Sequence, residues 1–142
     1  MPARHLLATA LVATLPGWAL AQSTEITNYD DLEWMPMAEG SAAEISPLWG
    51  DMATGPAAFL IRIPPGFDSG LHAHHADYRA VVIQGSHSHW DEGQDPTSVE
   101  ALGPGDSWFQ PKEAFHGDSN LGTETVIGLV YFEGPVDSYG KE

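Results

Sequence analysis

The chain of 142 residues carries 20 acidic side chains against five basic ones, a formal charge of −15 with histidine neutral. That field repels nucleic acid, whose affinity rests on phosphate neutralisation, and disfavours anionic membrane surfaces, while it draws cations, metal ions among them. Cysteine is absent, which excludes disulfides, thiolate metal sites and thiol nucleophiles and suits an oxidising compartment.

Residues 1–21, MPARHLLATALVATLPGWALA, begin with a basic end at Arg4, run apolar from Leu6 to Leu15, break at Pro16-Gly17 and finish on Ala19-Leu20-Ala21. This order predicts a secretory signal peptide cleaved after Ala21, and with it a periplasmic or secreted protein. The apolar run is too short to span a bilayer, and no later stretch is long enough. Cleavage takes Arg4 away and leaves 121 residues with four basic and 20 acidic side chains, a formal charge of −16. That length suits one domain with one core.

Residues 22–50 read as a polar, acidic arm with short edge strands around Leu32 to Pro36 and Ile45 to Trp49. From residue 51 to 136 the apolar runs have strand length and are separated by turn formers. AAFLIRI stops at Pro64-Pro65-Gly66, YRAVVIQG leads into SHSHW and then DEGQDP, and SVEAL meets GPGD. SWFQ ends at Pro111, and ETVIGLVYFEG closes the domain before a polar tail over residues 137–142. β-branched and aromatic residues are enriched and no helical periodicity is sustained, so the class is all-β, a sandwich or barrel.

Three of the seven histidines fall within four positions, at His72, His74 and His75, and two more follow at His87 and His89. In an extended chain His72 and His74 share one face and His75 points the other way. His87 and His89 repeat the spacing on the next strand, and a hairpin around Gly85-Ser86 would bring the two pairs together. Two imidazoles on one strand face make a rigid bite for Zn, Fe, Mn, Ni or Cu. His116, in PKEAFHGDSN, is the candidate third ligand, returned across the barrel by a tight loop after Pro111. The competing reading is a titrating surface cluster.

Around these residues, the segment Gly66-x5-His72-x-His74-x3-Tyr78-x6-Gly85 resembles the first motif of the cupin superfamily, and Gly105-x5-Pro111-x4-His116-x3-Asn120 resembles the second. The likeness runs from Leu48 to Glu133, and within cupins it is similar to small cupin-like proteins related to the cupin half of the ChrR anti-sigma factors. It implies a double-stranded β-helix (jelly-roll) barrel in which His72, His74 and His116 hold a divalent transition metal, Fe, Zn or Mn. The chain departs from the pattern twice. Glu113 replaces the usual glycine two positions after the proline, and Tyr78 takes the place of the glutamate ligand, or Arg79 if the spacing is counted one longer.

The fourth ligand therefore stays open between the Tyr78 phenol, Asp77 through a bulge, and His87 or His89. Arg79 is expected in a surface ion pair. Trp108 and Gln110 share a face, so one of the two is expected to line the barrel mouth, and Tyr78 and Trp108 are the candidate catalytic residues. Asp118 and Glu113 are candidates for orienting an imidazole. A three-histidine site open to a small chelating ligand implies a small-molecule metalloenzyme, oxygenase-like before isomerase or lyase. A non-enzymatic metal-containing sensor or ligand-binding module is the alternative, and the exposed edges of such a barrel invite a homodimer. No Gly-x-Ser-x-Gly elbow, phosphate-binding loop or His-Glu-x-x-His helix occurs.

Overall fold

A computed structural model describes residues 23–141, and the proposed signal peptide lies outside the described residues. After a single 3-10 turn at Tyr29–Asp31 come ten strands: β1 (Met35–Pro36), β2 (Glu44–Gly50), β3 (Ala57–Ile63), β4 (His72–Ala73), β5 (Tyr78–Gln84), β6 (Ser88–Asp91), β7 (Ser107–Gln110), β8 (His116–Ser119), β9 (Val126–Phe132) and β10 (Tyr139–Gly140). They form two antiparallel sheets, ordered β1-β2-β3-β9-β5-β7 and β10-β4-β8-β6. From β3 onward every strand lies in the opposite sheet from the one before it. That strict alternation is the winding of a double-stranded β-helix.

The frame rests on the two most apolar runs. β3 and β9 pair in unbroken register from Ala57 opposite Phe132 to Ile63 opposite Val126. Along β9 every second residue is buried, from Val126 through Gly128 and Val130 to Phe132, as expected of a strand with one face on a core. Phe59, Tyr78, Ala80, Val130 and Phe132 form the main cluster with Ile45. The Phe132 ring stacks on Phe59 and Tyr78, with centroids 6.1 and 5.0 Å away. These rings hold β5 over β9 and so fix the backbone that carries Tyr78.

Two features differ from the sequence expectation. β5 and β6 do not form a hairpin about Gly85-Ser86, because the chain crosses there from one sheet to the other. Gly85 makes the crossing at φ +85°, where a Cβ would lie 3.0 Å from the Thr125 carbonyl. The two histidine pairs still meet, because β8 lies between β4 and β6. The segment after residue 136, expected as a polar tail, also carries β10, which pairs with β4 in the smaller sheet. The arm contributes β1 and β2 to the larger sheet, near the expected edge strands.

Glu113, where the second motif usually has glycine, adopts a left-handed backbone at φ 64°. Its amide donates to the His74 carbonyl at 2.8 Å, so this turn is tied directly to the histidine strand. A left-handed conformation costs a non-glycine residue roughly 1–2 kcal/mol, against about 0.5–1 kcal/mol for the extra freedom glycine loses on folding. Glu113→Gly is therefore expected to raise stability, by about 0.5–1 kcal/mol in a denaturant titration, and unchanged or lower stability would contradict the strain.

Candidate metal centre

His72 and His116 are directly opposite one another in the β4–β8 register, and His74 follows one turn of the pleat later. The three side chains converge, with one nitrogen from each lying within 4.8 Å of the other two. Ring centroids are 4.4 Å apart for His72 and His116, 4.9 Å for His72 and His74, and 5.1 Å for His74 and His116. His75 points outward, where its ring pairs with the Asp137 carboxylate.

The decisive detail is on the far side of each ring. Nδ1 of His72 donates to the Gly70 carbonyl at 3.1 Å, and Nδ1 of His116 to the Ala114 carbonyl at 3.1 Å. Nδ1 of His74 donates to the Asp137 carbonyl. With the proton fixed on Nδ1, each Nε2 keeps its lone pair, the tautomer a metal requires. Burial pushes the His74 ring below the usual histidine range and the His116 ring down to about 4, despite the opposing pull of Asp118. Both are therefore neutral and ready to donate at neutral pH. The residues fit a divalent transition ion in donor type, tautomer and convergence.

A second group lies behind the first. Asp118, two residues after His116 on β8, directs Oδ1 to His87 Nε2 at 3.0 Å and to His89 Nδ1 at 2.9 Å. Its Oδ2 stands 3.8 Å from Nε2 of both His72 and His116. His89 Nε2 donates to Gln110 Oε1 at 3.0 Å, and the Gln110 amide nitrogen is held in turn by the Ala114 carbonyl at 3.0 Å. Burial would keep Asp118 protonated, but hydrogen bonds and charge from His87 and His89 prevail and hold it well below the ordinary carboxylate range. Burial likewise opposes a charge on His89, yet Asp118 and Gln110 raise it above the usual histidine range.

Tyr78 occupies the position of the family glutamate and reaches the same centre. Its phenol donates to His116 Nε2 at 3.2 Å and accepts from Trp108 Nε1 at 3.3 Å. Burial, reinforced by the charge of Asp118, pushes its pKa well above 10.0. A cavity of about 520 Å³ opens onto His72, His74, Tyr78, Trp108 and Asp118, with Phe59 and Val130 among its apolar walls. Among the described residues neither Lys nor Arg lines it, whereas Glu39, Asp68 and Asp137 do.

The structure brings His72, His74 and His116 together, as the sequence reading expects, and places other candidates elsewhere. His87 and His89 face Asp118, with which they form a second group of converging ligand atoms, rather than the point where the three Nε2 atoms meet. Asp77 accepts from the Lys112 amide at 2.7 Å instead of turning in. Arg79 forms its ion pair with Glu133 on the outer surface. Glu113 is exposed and orients no imidazole. Gln110 and the three carbonyls were missed as partners. For Gln110 the available signal was its two-residue spacing from Trp108, which turned it inward where it is 2% exposed.

Residues 25–137 match the family described as "Domain of unknown function (DUF4437)". None of the curated proteins is detectably similar in sequence. Among solved structures the fold is similar to KdgF from Halomonas sp. at TM-score 0.60 and 19% identity, covering 80% of this chain and 96% of that one. An RmlC-like cupin from Shewanella frigidimarina NCIMB 400 superposes at TM-score 0.61 and 21% identity, over 82% of this chain and 96% of that one. DMSP lyase DddQ from Ruegeria pomeroyi DSS-3 gives TM-score 0.61 and 21% identity, over 76% and 60%. At these identities the likeness establishes the cupin fold.

The shifted histidines fix how stability depends on pH. The unfolded chain takes up protons at His74 and His116 below about pH 6.5, while the native rings resist until about 4 for His116. Stability of metal-stripped protein must then fall as pH drops through that window. The raised His89 acts oppositely, contributing stability below 6.5 that is lost as pH rises through its native value. Denaturant midpoints are expected to peak near pH 6.5, and a midpoint that climbs from pH 6.5 to 4 would contradict these assignments.

Proposed function

Since the chain belongs to the DUF4437 family and is folded as a cupin, we propose that it is a metal-dependent enzyme acting on a small, oxygen-bearing molecule by proton transfer, in a lyase or isomerase type of reaction. His72, His74 and His116 hold one divalent transition ion, Fe, Zn or Mn. Such an ion supplies Lewis acidity, polarising a substrate oxygen. The exported location suggested by residues 1–21 and the lack of cysteine belongs to the same proposal.

The observation that carries this reading is the Tyr78 phenol, 3.2 Å from His116 Nε2 and backed by the Trp108 indole. Burial and the Asp118 charge keep it protonated. It is thus a donor, positioned to give a hydrogen bond or a proton to an oxygen on which negative charge develops. Trp108 holds the phenol oxygen from behind and walls the cavity. A phenol held as an acid serves redox-neutral chemistry directly, which moves the oxygenase-like reading from the sequence into second place. Access from the cavity to His72, His74 and Tyr78 favours turnover over the role of a closed sensor.

The cavity also limits the substrate. With no Lys or Arg in its lining among the described residues and carboxylates at Glu39, Asp68 and Asp137, a second anionic group would meet repulsion. A small molecule with one chelating carboxylate or carbonyl and an apolar or cationic remainder fits best.

Tyr78→Phe keeps the ring and removes the proton. In a screen of metal-loaded protein against small substituted and hydroxylated carboxylic acids, this variant is expected to bind metal normally and lose roughly 10²–10⁴-fold in turnover. Full turnover by the variant, or one dioxygen consumed per product in an oxygen-electrode assay of the wild type, would overturn the proton-transfer reading.

A further inference from the structure

The glutamate missing at position 78 is replaced from another strand: we infer that Asp118 is the fourth protein ligand of the His72–His74–His116 centre, with His87 and His89 holding its outer oxygen. This rests on the reading that the three histidines hold an ion. Alternation along β8 puts Asp118 on the same face as His116, and the β4–β8 pairing puts His72 opposite. Asp118 Oδ2 is 3.8 Å from Nε2 of His72 and of His116. Donors that far apart can both lie about 2.0–2.2 Å from one ion, the span of nitrogen and carboxylate ligands to zinc.

The rest of the carboxylate is already committed. Oδ1 accepts from His87 Nε2 at 3.0 Å and from His89 Nδ1 at 2.9 Å, which fixes the rotation and leaves Oδ2 directed at the centre. The Asp118 backbone is pinned too, its amide donating to Ser69 Oγ at 2.8 Å. The rivals are occupied elsewhere. Both nitrogens of His89 are used, by Asp118 and Gln110. His87 spends Nε2 on Asp118 and stacks on Trp108 with centroids 5.0 Å apart, while its unpartnered, buried Nδ1 lies across the ring from Asp118. The Tyr78 oxygen accepts from Trp108 Nε1 at 3.3 Å, and Asp77 is bound to the Lys112 amide.

Charge points the same way. Three neutral imidazoles would leave a divalent ion with its full charge in a largely buried site, whereas one carboxylate halves it, and burying uncompensated charge is expensive. Asp118 has the matching need: among the described residues its neighbours are histidines, and neither Lys nor Arg lines the cavity beside it. The carboxylate lost from one strand is thus restored from the facing one, at the same centre.

The test is a Co(II) titration of metal-stripped full-length protein against a competing chelator, read by the visible d–d spectrum. Wild type is expected to bind one Co(II) per chain. Asp118→Asn should weaken binding by about 100-fold and shift the spectrum, and Asp118→Glu should recover part of both. His89→Gln should cost about 10-fold, the lower end of what loss of an outer partner brings. Unchanged affinity and spectrum in Asp118→Asn, or a larger loss in His89→Gln than in Asp118→Asn, overturns the assignment while leaving the three-histidine site standing. No Co(II) binding by wild type removes both. Should Asp118→Asn fail to fold, infrared difference spectra of wild type carrying carboxyl-13C aspartate decide the matter. An isotope-sensitive carboxylate shift on Co(II) addition is expected, and its absence overturns the assignment.

Discussion

Three backbone carbonyls, those of Gly70, Ala114 and Asp137, each accept the Nδ1 proton of one histidine, and the candidate metal centre depends on them. A neutral hydrogen bond of this kind adds only about 0.5–1.5 kcal/mol to stability. Its value here lies in selection, because it fixes the tautomer and the ring plane of His72, His116 and His74 and turns their lone pairs toward one point. The three carbonyls come from separate loops, at residues 70, 114 and 137. They meet only when β4, β8 and β10 are assembled in one sheet. Folding of the barrel and formation of the site are therefore one event.

Around that point, electrostatics divides the polar residues into two layers. The inner layer is neutral and lone-pair rich: His74 and His116 sit below the ordinary histidine range because burial penalises their charged forms. The outer layer is an ion pair, with Asp118 ionised and His89 raised by it. Asp118 joins the layers, one oxygen on each side. Tyr78 adds the remaining function, a proton held high by burial within reach of His116. Phe132 stacks against Tyr78 and Phe59 and keeps this proton donor in a dry wall.

The fold could be read from sequence because its signals are local. Strand-length runs such as AAFLIRI and VIGLVYF, broken by Pro and Gly, specify strands, and the spacing of His72, His74 and His116 carries the cupin likeness. What could not be read was long-range register. Nothing local states that Gly85 passes the chain to the other sheet, or that β8 enters between the two histidine pairs. The same blindness hid the surroundings of Asp118: its closeness to His116 made it a candidate for orienting an imidazole, but its contacts with His87 and His89 arise only when β6 lies beside β8, with His89 opposite Asp118. Backbone acceptors such as the Asp137 carbonyl have no signature in side-chain identity at all. Glu113 departs from the glycine pattern, and only the backbone, at φ 64°, reveals that the position is left-handed.

The central claim is that His72, His74 and His116 form one metal site. Metal analysis of the full-length protein purified without added metal, alongside His72→Ala, His74→Ala and His116→Ala variants shown to be folded, tests it most directly. The account predicts close to one transition-metal ion per chain in the wild type and its loss in each variant. A folded wild type that holds no ion even when Fe, Mn and Zn are offered, or variants that keep it, would contradict the account.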